Sequence, residues 1–376
     1  MKTFFDLFSG GGGAAQGAEQ AGLTPIGGVE IDPAIAEVYK ANHGDHLTVG
    51  DVLKTRPGQY DRPDWFHASP VCKSFSAAKT NGRELALDIA CAEKVAEYIG
   101  AWEPQYFSLE NVAAYAKSKS FALVLNALYR AGYFPWVGVL NAADFGVPQS
   151  RRRLIVLAVR GGFVPPLPPP TPWMGWYEAI YDLLPGLPDS RLADWQIKAL
   201  PDEYKCSLLI DGRNPRNPTI RESRDPSFTV PVSVHKGWIC ALLVHPTDQR
   251  TCSTPAGDRP SFTVTAAMPQ TSNYPRALLI ENTGARSDRP LQIREQDQPC
   301  WTLRAMGHDG HWHRANAWEC GRIVRLDISC LARLQSFPDD YRWSGRNVTD
   351  GTAIGNSVCP VFFEQLIRAV MEVAHA

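Results

Sequence analysis

Over the first 160 residues six short apolar runs alternate with helix-patterned stretches, and that alternation leaves little choice of architecture. TFFDLF (3–8), PIGGVE (25–30), DWFHAS (64–69), YFSLEN (106–111), a run near 136–140 and LIVLAV (154–159) read as strands. The stretches 13–21, 33–42, 85–100 and 118–131 between them read as helices. Strands buried on both faces read as near-continuous apolar runs, so the pattern predicts an α/β layer: a largely parallel sheet covered on both sides.

GGFVPPLPPPTP (161–172) breaks the pattern, because its prolines cannot continue a sheet. Three parts are expected: 1–165, a strand-rich 166–320 and a segment 321–376 that returns to complete the first. In the middle part RDPSFTV (224–230), DRPSFTV (258–264) and DQPCWTL (297–303) repeat a turn-into-strand unit. That unit reads either as related hairpins or as a repeated nucleic-acid contact.

The chain has no stretch near the roughly 18 apolar residues of a membrane span and no cleavable-signal pattern at its start, so a cytoplasmic location is expected. Nine cysteines without a CxxC read as free thiols. A formal net charge of −1 argues against indiscriminate phosphate binding and leaves room for a local basic groove. GHDGHWH (307–313) has three histidines at a spacing that matches no standard zinc site, and no metal is expected.

The first strand runs into SGGGG (9–13), where glycines permit a tight turn and close approach of a ligand to backbone N–H groups. Alone, this is either an ordinary corner or a cofactor turn. Glu30 at the end of the second strand is placed to accept from ribose hydroxyls, and Asp51, after a further short strand, from an adenine amino group. Phe8 and Asp6 beside the turn suit a cationic sulfonium better than a pyrophosphate, which leans the reading toward S-adenosylmethionine.

Cys72 in SPVCKSFS (69–76) follows a strand and falls at the carboxyl end of the sheet, where open α/β folds bind ligands. A cysteine there is either a small buried hydrophobe or a nucleophile. Glu110 and Asn111, in SLENV, end the next strand on the same rim. A thiol and a carboxylic acid beside a methyl donor suit one problem: carbon 5 of cytosine becomes nucleophilic once a thiolate adds to carbon 6. In GVPQSRRRLIVLAV (146–159), alternation puts Gln149, Arg151 and Arg153 on one strand face and Arg152 on the other, either to fork onto a base or phosphate or as a solvated basic edge.

These segments together resemble the DNA cytosine-5 methyltransferase family: DLFSGGGG (6–13), GVEIDPAIAEVYKANHG (28–44), GDV (50–52), SPVCKSFS, SLENV, NAADFGVPQSRRR (141–153), RLDISCLARLQSFPDDY (325–341) and IGNSV (354–358), in that order. The segments cover most of residues 1–160 and 320–365, and about 160 residues between those two stretches are unmatched. The resemblance implies a Rossmann-like mixed sheet that binds S-adenosylmethionine and a smaller, strand-rich target recognition domain. It implies that Phe8, Gly10, Gly12, Glu30, Ile31, Asp51, Val52, Asn356 and Ser357 line the cofactor. Cys72 would be the nucleophile and Glu110 its acid partner, with Arg151 and Arg153 at the target base or its phosphates. Lys73, Ser76, Asn111 and Gln149 would lie on the substrate side, Asn111 holding the loop. The expected substrate is a cytosine flipped out of duplex DNA, and the expected state a monomer. Arg213, Arg216, Arg221 and Arg304 are candidate DNA contacts in the middle part.

Two departures stand out. Val71 and Lys73 flank Cys72 where the family usually has proline and glutamine, which suggests a looser loop and a cation beside the thiol. Cys330 stands where glutamate is common. Three other readings stay open: an RNA cytosine-5 methyltransferase, a catalytically silent DNA-binding protein, and an enzyme using a modified cofactor.

Overall fold

The computed structural model describes residues 1–71, 84–180, 182–188 and 322–372, with short strands between 208 and 294. Cys72, Lys73, Ser76, the three repeats, GHDGHWH, Arg213, Arg216 and Arg304 lie outside the described residues.

One compact unit comprises the described residues of Met1–Met174 and Leu331–Ala376. Its strands are β1 (Thr3–Leu7), β2 (Thr24–Glu30), β3 (Leu47–Val49), β4 (Trp65–Ala68), β5 (Tyr106–Asn111), β6 (Trp136–Asn141) and β7 (Arg152–Val159). They form one sheet in the order β3-β2-β1-β4-β5-β7-β6. The first five are parallel, whereas β7 runs antiparallel to both β5 and β6, which makes the sheet mixed. β7 is therefore interior and β6 forms the edge, so the basic run preceding β7 is no solvated edge strand.

The helices are α1 (Gly13–Gln20), α2 (Pro33–His43), α3 (Ala86–Trp102) and α4 (Lys119–Arg130). After α5 (Trp176–Ile180) come α6 (Ile328–Leu334), α7 (Asn347–Asn356) and α8 (Pro360–Glu372). Local chemistry sets several ends. Asp32 caps α2 by accepting from Ala34 N at 2.8 Å, Pro33 opens it, and Gly44 at φ 97° stops it. Ser118 caps α4 by accepting from Phe121 N at 2.9 Å.

Strand alternation divides the core between two faces. Phe4, Trp65, Tyr106, Ile155 and Leu157 pack on α1 and on Phe362, Phe363, Leu366 and Ile367 of α8. Phe5, Phe66, Phe107, Leu109 and Val156 pack on α3 and α4 through Val95, Tyr98, Trp102, Val124 and Leu128. Each such fully buried apolar side chain contributes about 1.5–3 kcal/mol, so removing α8 strips one face of the sheet.

The segment 331–372 is thus part of the first layer. α7 is a helix that periodicity does not announce, since Gly351, Thr352 and Gly355 are poor helix formers. Tertiary contacts hold it: Asp350 accepts from Ser344 N at 2.9 Å and Ser344 Oγ at 2.6 Å, and Ala353 lies against Gly11.

The second unit contains the described residues of Gly175–Asp225 and His235–Cys330. In it β8 (Leu208–Asp211), β9 (Thr219–Glu222), β10 (Ile239–Leu243) and β13 (Arg322–Arg325) form an antiparallel sheet in the order β13-β10-β8-β9, while β11 (Leu279–Glu281) pairs with β12 (Gln292–Arg294). Arg221 lies on β9. No described helix is long and apolar enough to cross a membrane.

Candidate active site

The carboxyl ends of β2, β1, β4 and β5 carry, in that spatial order, Glu30, Phe8, Ser69 with Pro70, and Glu110 with Asn111. At the β1 end Phe8 adopts φ 75°, a left-handed conformation that a bulky residue holds only where its surroundings enforce it. Three bonds do so: Ser9 N donates to Val29 O at 2.9 Å, Ser9 Oγ to Asp6 O at 2.6 Å, and Ser69 Oγ to Phe8 O at 3.3 Å.

Glu30 is half-buried. Its Oε2 accepts from Gly10 N at 2.9 Å and its Oε1 from Asp32 N at 2.8 Å. Burial raises its pKa above the ordinary carboxylate value, with these backbone bonds pulling the other way. Next to it Ile31 is 66% exposed, an apolar side chain left in solvent at the mouth of the sheet. Asp51 is half-buried, with Oδ1 accepting from Leu53 N at 3.0 Å. A carboxylate hydrogen-bonded to a glycine turn, an uncovered apolar side chain and a second carboxylate fit the adenosine end of S-adenosylmethionine. Gly10, at φ 54° with open space where a Cβ would be, faces the same region.

The remaining glycines answer a different demand. A Cβ at Gly11 would come within 2.8 Å of Ala353 Cβ, and one at Gly12 within 2.6 Å of both His43 Nε2 and Tyr341 Oη. One at Gly13 would collide with Val358 O, and one at Gly17 would sit 2.5 Å from Pro360 O. The run is small because the C-terminal segment lies on it. Gly12 is thus a close-packing position against His43 and Tyr341. Val52 is 6% exposed and packs in the core with Val29 and Phe66.

On the catalytic rim Glu110 is buried and Arg153 Nε stands 2.7 Å from its Oε1, an ion pair too bent for a linear hydrogen bond. The carboxylate at the end of an apolar strand thus has its partner. Asn111 Nδ2 donates to Pro70 O at 3.0 Å and its Oδ1 accepts from Val112 N at 2.8 Å. Its amide fixes the backbone two residues before Cys72, which is a positioning role.

Arg151 is 2% exposed, and its guanidinium donates to Gly355 O at 3.1 Å and to Ser357 O at 2.9 Å. Gln149, fully buried, donates to Gln335 Oε1 at 2.7 Å, and Gln335 Nε2 donates to Ser357 O at 2.7 Å. Arg151 and Gln149 are therefore corrected: they clamp the link between α7 and α8 and are committed inside the protein, away from a base. Ser357, whose Oγ donates to Ala353 O at 2.7 Å, is buried beside them, while Asn356 next to it is exposed. Strand alternation begins only at Arg152, which is exposed, and this explains the misplacement of Gln149 and Arg151.

Sequence reasoning missed Gln335, Tyr341 and His43. His43 Nδ1 lies 3.0 Å from Glu19 Oε2 and its Nε2 lies 3.0 Å from Tyr341 Oη, and the tyrosine hydroxyl donates to Gly11 O. The LQSFPDDY segment carried the only signal for two of them. Among the described residues no group of His, Cys, Asp and Glu is placed to hold a metal.

A mixed sheet with a strand-end carboxylate for an adenosyl cofactor and an acid–arginine pair on the neighbouring rim defines a methyltransferase of the Rossmann-like class. The family model of C-5 cytosine-specific DNA methylases matches residues 2–178. Type II methyltransferase M1.HphI of Haemophilus parahaemolyticus is 26% identical over 98% of this chain and 87% of its own length. Type II methyltransferase M.XorII of Xanthomonas oryzae is 34% identical over 59% of this chain and 56% of its own. Among solved structures, S. pombe Dnmt2 methyltransferase superposes with a TM-score of 0.57 at 16% identity, covering 100% of this chain and 99% of its own. A putative E. coli prophage DNA modification methyltransferase superposes with 0.60 at 17%, covering both chains completely. These two likenesses carry the fold. Residues 2–178 belong to the C-5 cytosine-specific DNA methylase family. The chain's activity is transfer of a methyl group from S-adenosylmethionine to carbon 5 of cytosine in DNA.

Proposed function

We propose that Cys72 is the nucleophile and Glu110 its acid partner, acting on a cytosine flipped out of duplex DNA. The observation that carries the assignment is the Glu110–Arg153 ion pair on the rim where Asn111 grips Pro70 O. Cys72 Sγ, as thiolate, adds to carbon 6 of the base while Glu110 supplies a proton to N3, leaving an enamine with a nucleophilic carbon 5. S-adenosylmethionine, when bound, supplies the electrophilic methyl group. Loss of the carbon 5 proton to solvent then expels the Cys72 thiolate, and the N3 proton returns to Glu110. Arg153 orients Glu110 through the transfer. Lys73 and Ser76 serve the substrate side of the Cys72 loop.

Glu30 takes the ribose hydroxyls, Ile31 packs on the adenine, Asp51 accepts from its amino group, and Phe8, Gly10 and Asn356 bound the methionine side. The second unit reads target bases. The protein acts as a monomer in the cytoplasm, in a restriction–modification setting like that of the Type II relatives.

The test is transfer of labelled methyl from S-adenosylmethionine to mixed-sequence unmethylated duplex DNA, beside Cys72→Ser. Label at cytosine carbon 5 in the wild type and none in the variant is the expected result. Equal labelling in the variant sinks the nucleophile assignment, and labelling of structured RNA in preference to DNA sinks the duplex substrate.

A further inference from the structure

Below the rim, β1, β4 and β5 carry a buried polar row: Asp6 opposite His67, and His67 opposite Ser108. Ser108 Oγ accepts from Trp65 Nε1 at 2.8 Å and lies 2.8 Å from His67 Nδ1. His67 is fully buried, and burial drives its pKa down to about 3, which keeps the ring neutral.

Asp6 is the unusual member. It is 1% exposed, and neither carboxyl oxygen has a hydrogen-bond partner among the described residues. The titratable groups that face it are Glu30 from β2, Tyr39 from α2 and His67 from β4. The one titratable side chain of α1, Glu19, is engaged by His43. None of these is a cation able to balance a carboxylate. Burial first, and then Glu30, pushes the Asp6 pKa up to about 8, so the acid is mostly neutral at pH 7. Among the described residues, two acids are gathered under one turn with no cation of the protein's own.

The order along the rim says what cation is missing. Glu30 ends β2, and Pro70 and Glu110 end the fourth and fifth strands of the chain, with β1 between these two groups. A donor with its ribose on Glu30 and its methyl acceptor at β4 and β5 must carry its sulfonium across the end of β1, above Asp6.

We infer that Asp6 reads the charge on the methyl donor: protonated in the cofactor-free protein, it ionises when the sulfonium is seated, and so selects the cationic donor over its neutral thioether product. This rests on the cofactor site described above. After transfer the thioether carries no charge, Asp6 takes a proton back from solvent, and the attraction that held the donor disappears, which favours exchange of product for fresh donor. Asp6 thus acts as a specificity-determining residue.

The test is calorimetric binding of S-adenosylmethionine and S-adenosylhomocysteine to the full chain at pH 7, in buffers of different ionisation enthalpy. The donor should release more protons than the product by up to roughly 0.9 per site, the neutral fraction of an acid with a pKa of about 8. Any proton displaced from Glu30 by the shared ribose cancels in that difference. Donor affinity should rise with pH up to about 8 and then level, while product affinity stays flat. Asp6→Asn should abolish the difference and lower the donor-to-product affinity ratio about tenfold, one pKa unit's worth of coupling, with product affinity within about twofold as proof of folding. Equal proton release by both ligands, or none by either, overturns the assignment while leaving the cofactor site intact. The wild-type measurement alone decides, so it stands even where the Asn variant fails to fold.

Discussion

Replacing Gly12 and Gly10 separately by alanine discriminates between two reasons for a glycine run. Both residues have positive φ, 92° and 54°, so each alanine pays about 1 kcal/mol for a left-handed backbone. At Gly10 nothing lies within 4 Å of the added Cβ, and the loss ends there. At Gly12 the Cβ falls 2.6 Å from His43 Nε2 and from Tyr341 Oη, against an ordinary contact of 3.4–4 Å. Both rings must retreat by nearly an ångström, which stretches the His43–Tyr341 bond and the bond from Tyr341 to Gly11 O. Overpacking of this kind costs about 1–3 kcal/mol and each weakened buried hydrogen bond about 1 kcal/mol. Gly12→Ala should therefore lose about 4–6 kcal/mol and Gly10→Ala about 1 kcal/mol. Urea unfolding followed by tryptophan fluorescence reads the two midpoints. Limited proteolysis should cut Gly12→Ala first within 331–372, whereas Gly10→Ala should show its defect in cofactor affinity. Equal midpoints for the two variants would refute the claim that the run is shaped by the C-terminal segment.

Glu110→Gln and Arg153→Met should each lower single-turnover methyl transfer by about 10²–10⁴-fold, the usual share of a general acid and its support, with cofactor affinity nearly unchanged by calorimetry. Deleting residues 345–376 removes α7 and α8 and with them the contacts on Gly11, Gly13 and Gly17, so cofactor binding should vanish together with activity; a deletion that binds cofactor normally contradicts the packing. Asp6 is protonated when folded and ionised when unfolded between the ordinary carboxyl value of 3.8 and about 8. Its contribution to stability is complete below 3.8 and is lost as pH rises to about 8, at about 1.4 kcal/mol per pH unit. The gap in urea midpoint between wild type and Asp6→Asn should therefore shift in the variant's favour from pH 6 to pH 8; a pH-independent gap counts against a neutral Asp6.

The layered sheet was legible because its strands are buried on both faces and read as unbroken apolar runs, and because α2 and α4 announce their ends with Asp32, Gly44 and Ser118. The reversed direction of β7 was not, since pairing of Glu110 with Ile155 and of Leu140 with Arg153 is decided by register across distant strands. On the rim, Glu30 and Glu110 could be read because a carboxylate ending an apolar strand demands a reason. Arg151 and Gln149 misled because alternation was extended three residues before the strand starts, and their true partners, the carbonyls of Gly355 and Ser357 and the amide of Gln335, lie 186–206 residues away. The packing of the glycine run was hidden for the same reason: apart from His43 at Gly12, the atoms that a side chain at Gly11, Gly12, Gly13 or Gly17 would strike come from residue 337 onward.

That distance has a consequence for how the protein is made. α8 covers α1 and one face of β1, so the strand that leaves the ribosome early stays half uncovered until residues near 360 have been synthesised. At about 5–20 residues per second the wait is on the order of 20–70 s. During it the nascent chain displays Phe4, Trp65 and Tyr106 to whatever is nearby, a state that non-local closure cannot relieve early. Synthesis rate and access to chaperones, more than the stability of the finished protein, should then set how much of it is recovered folded from cells.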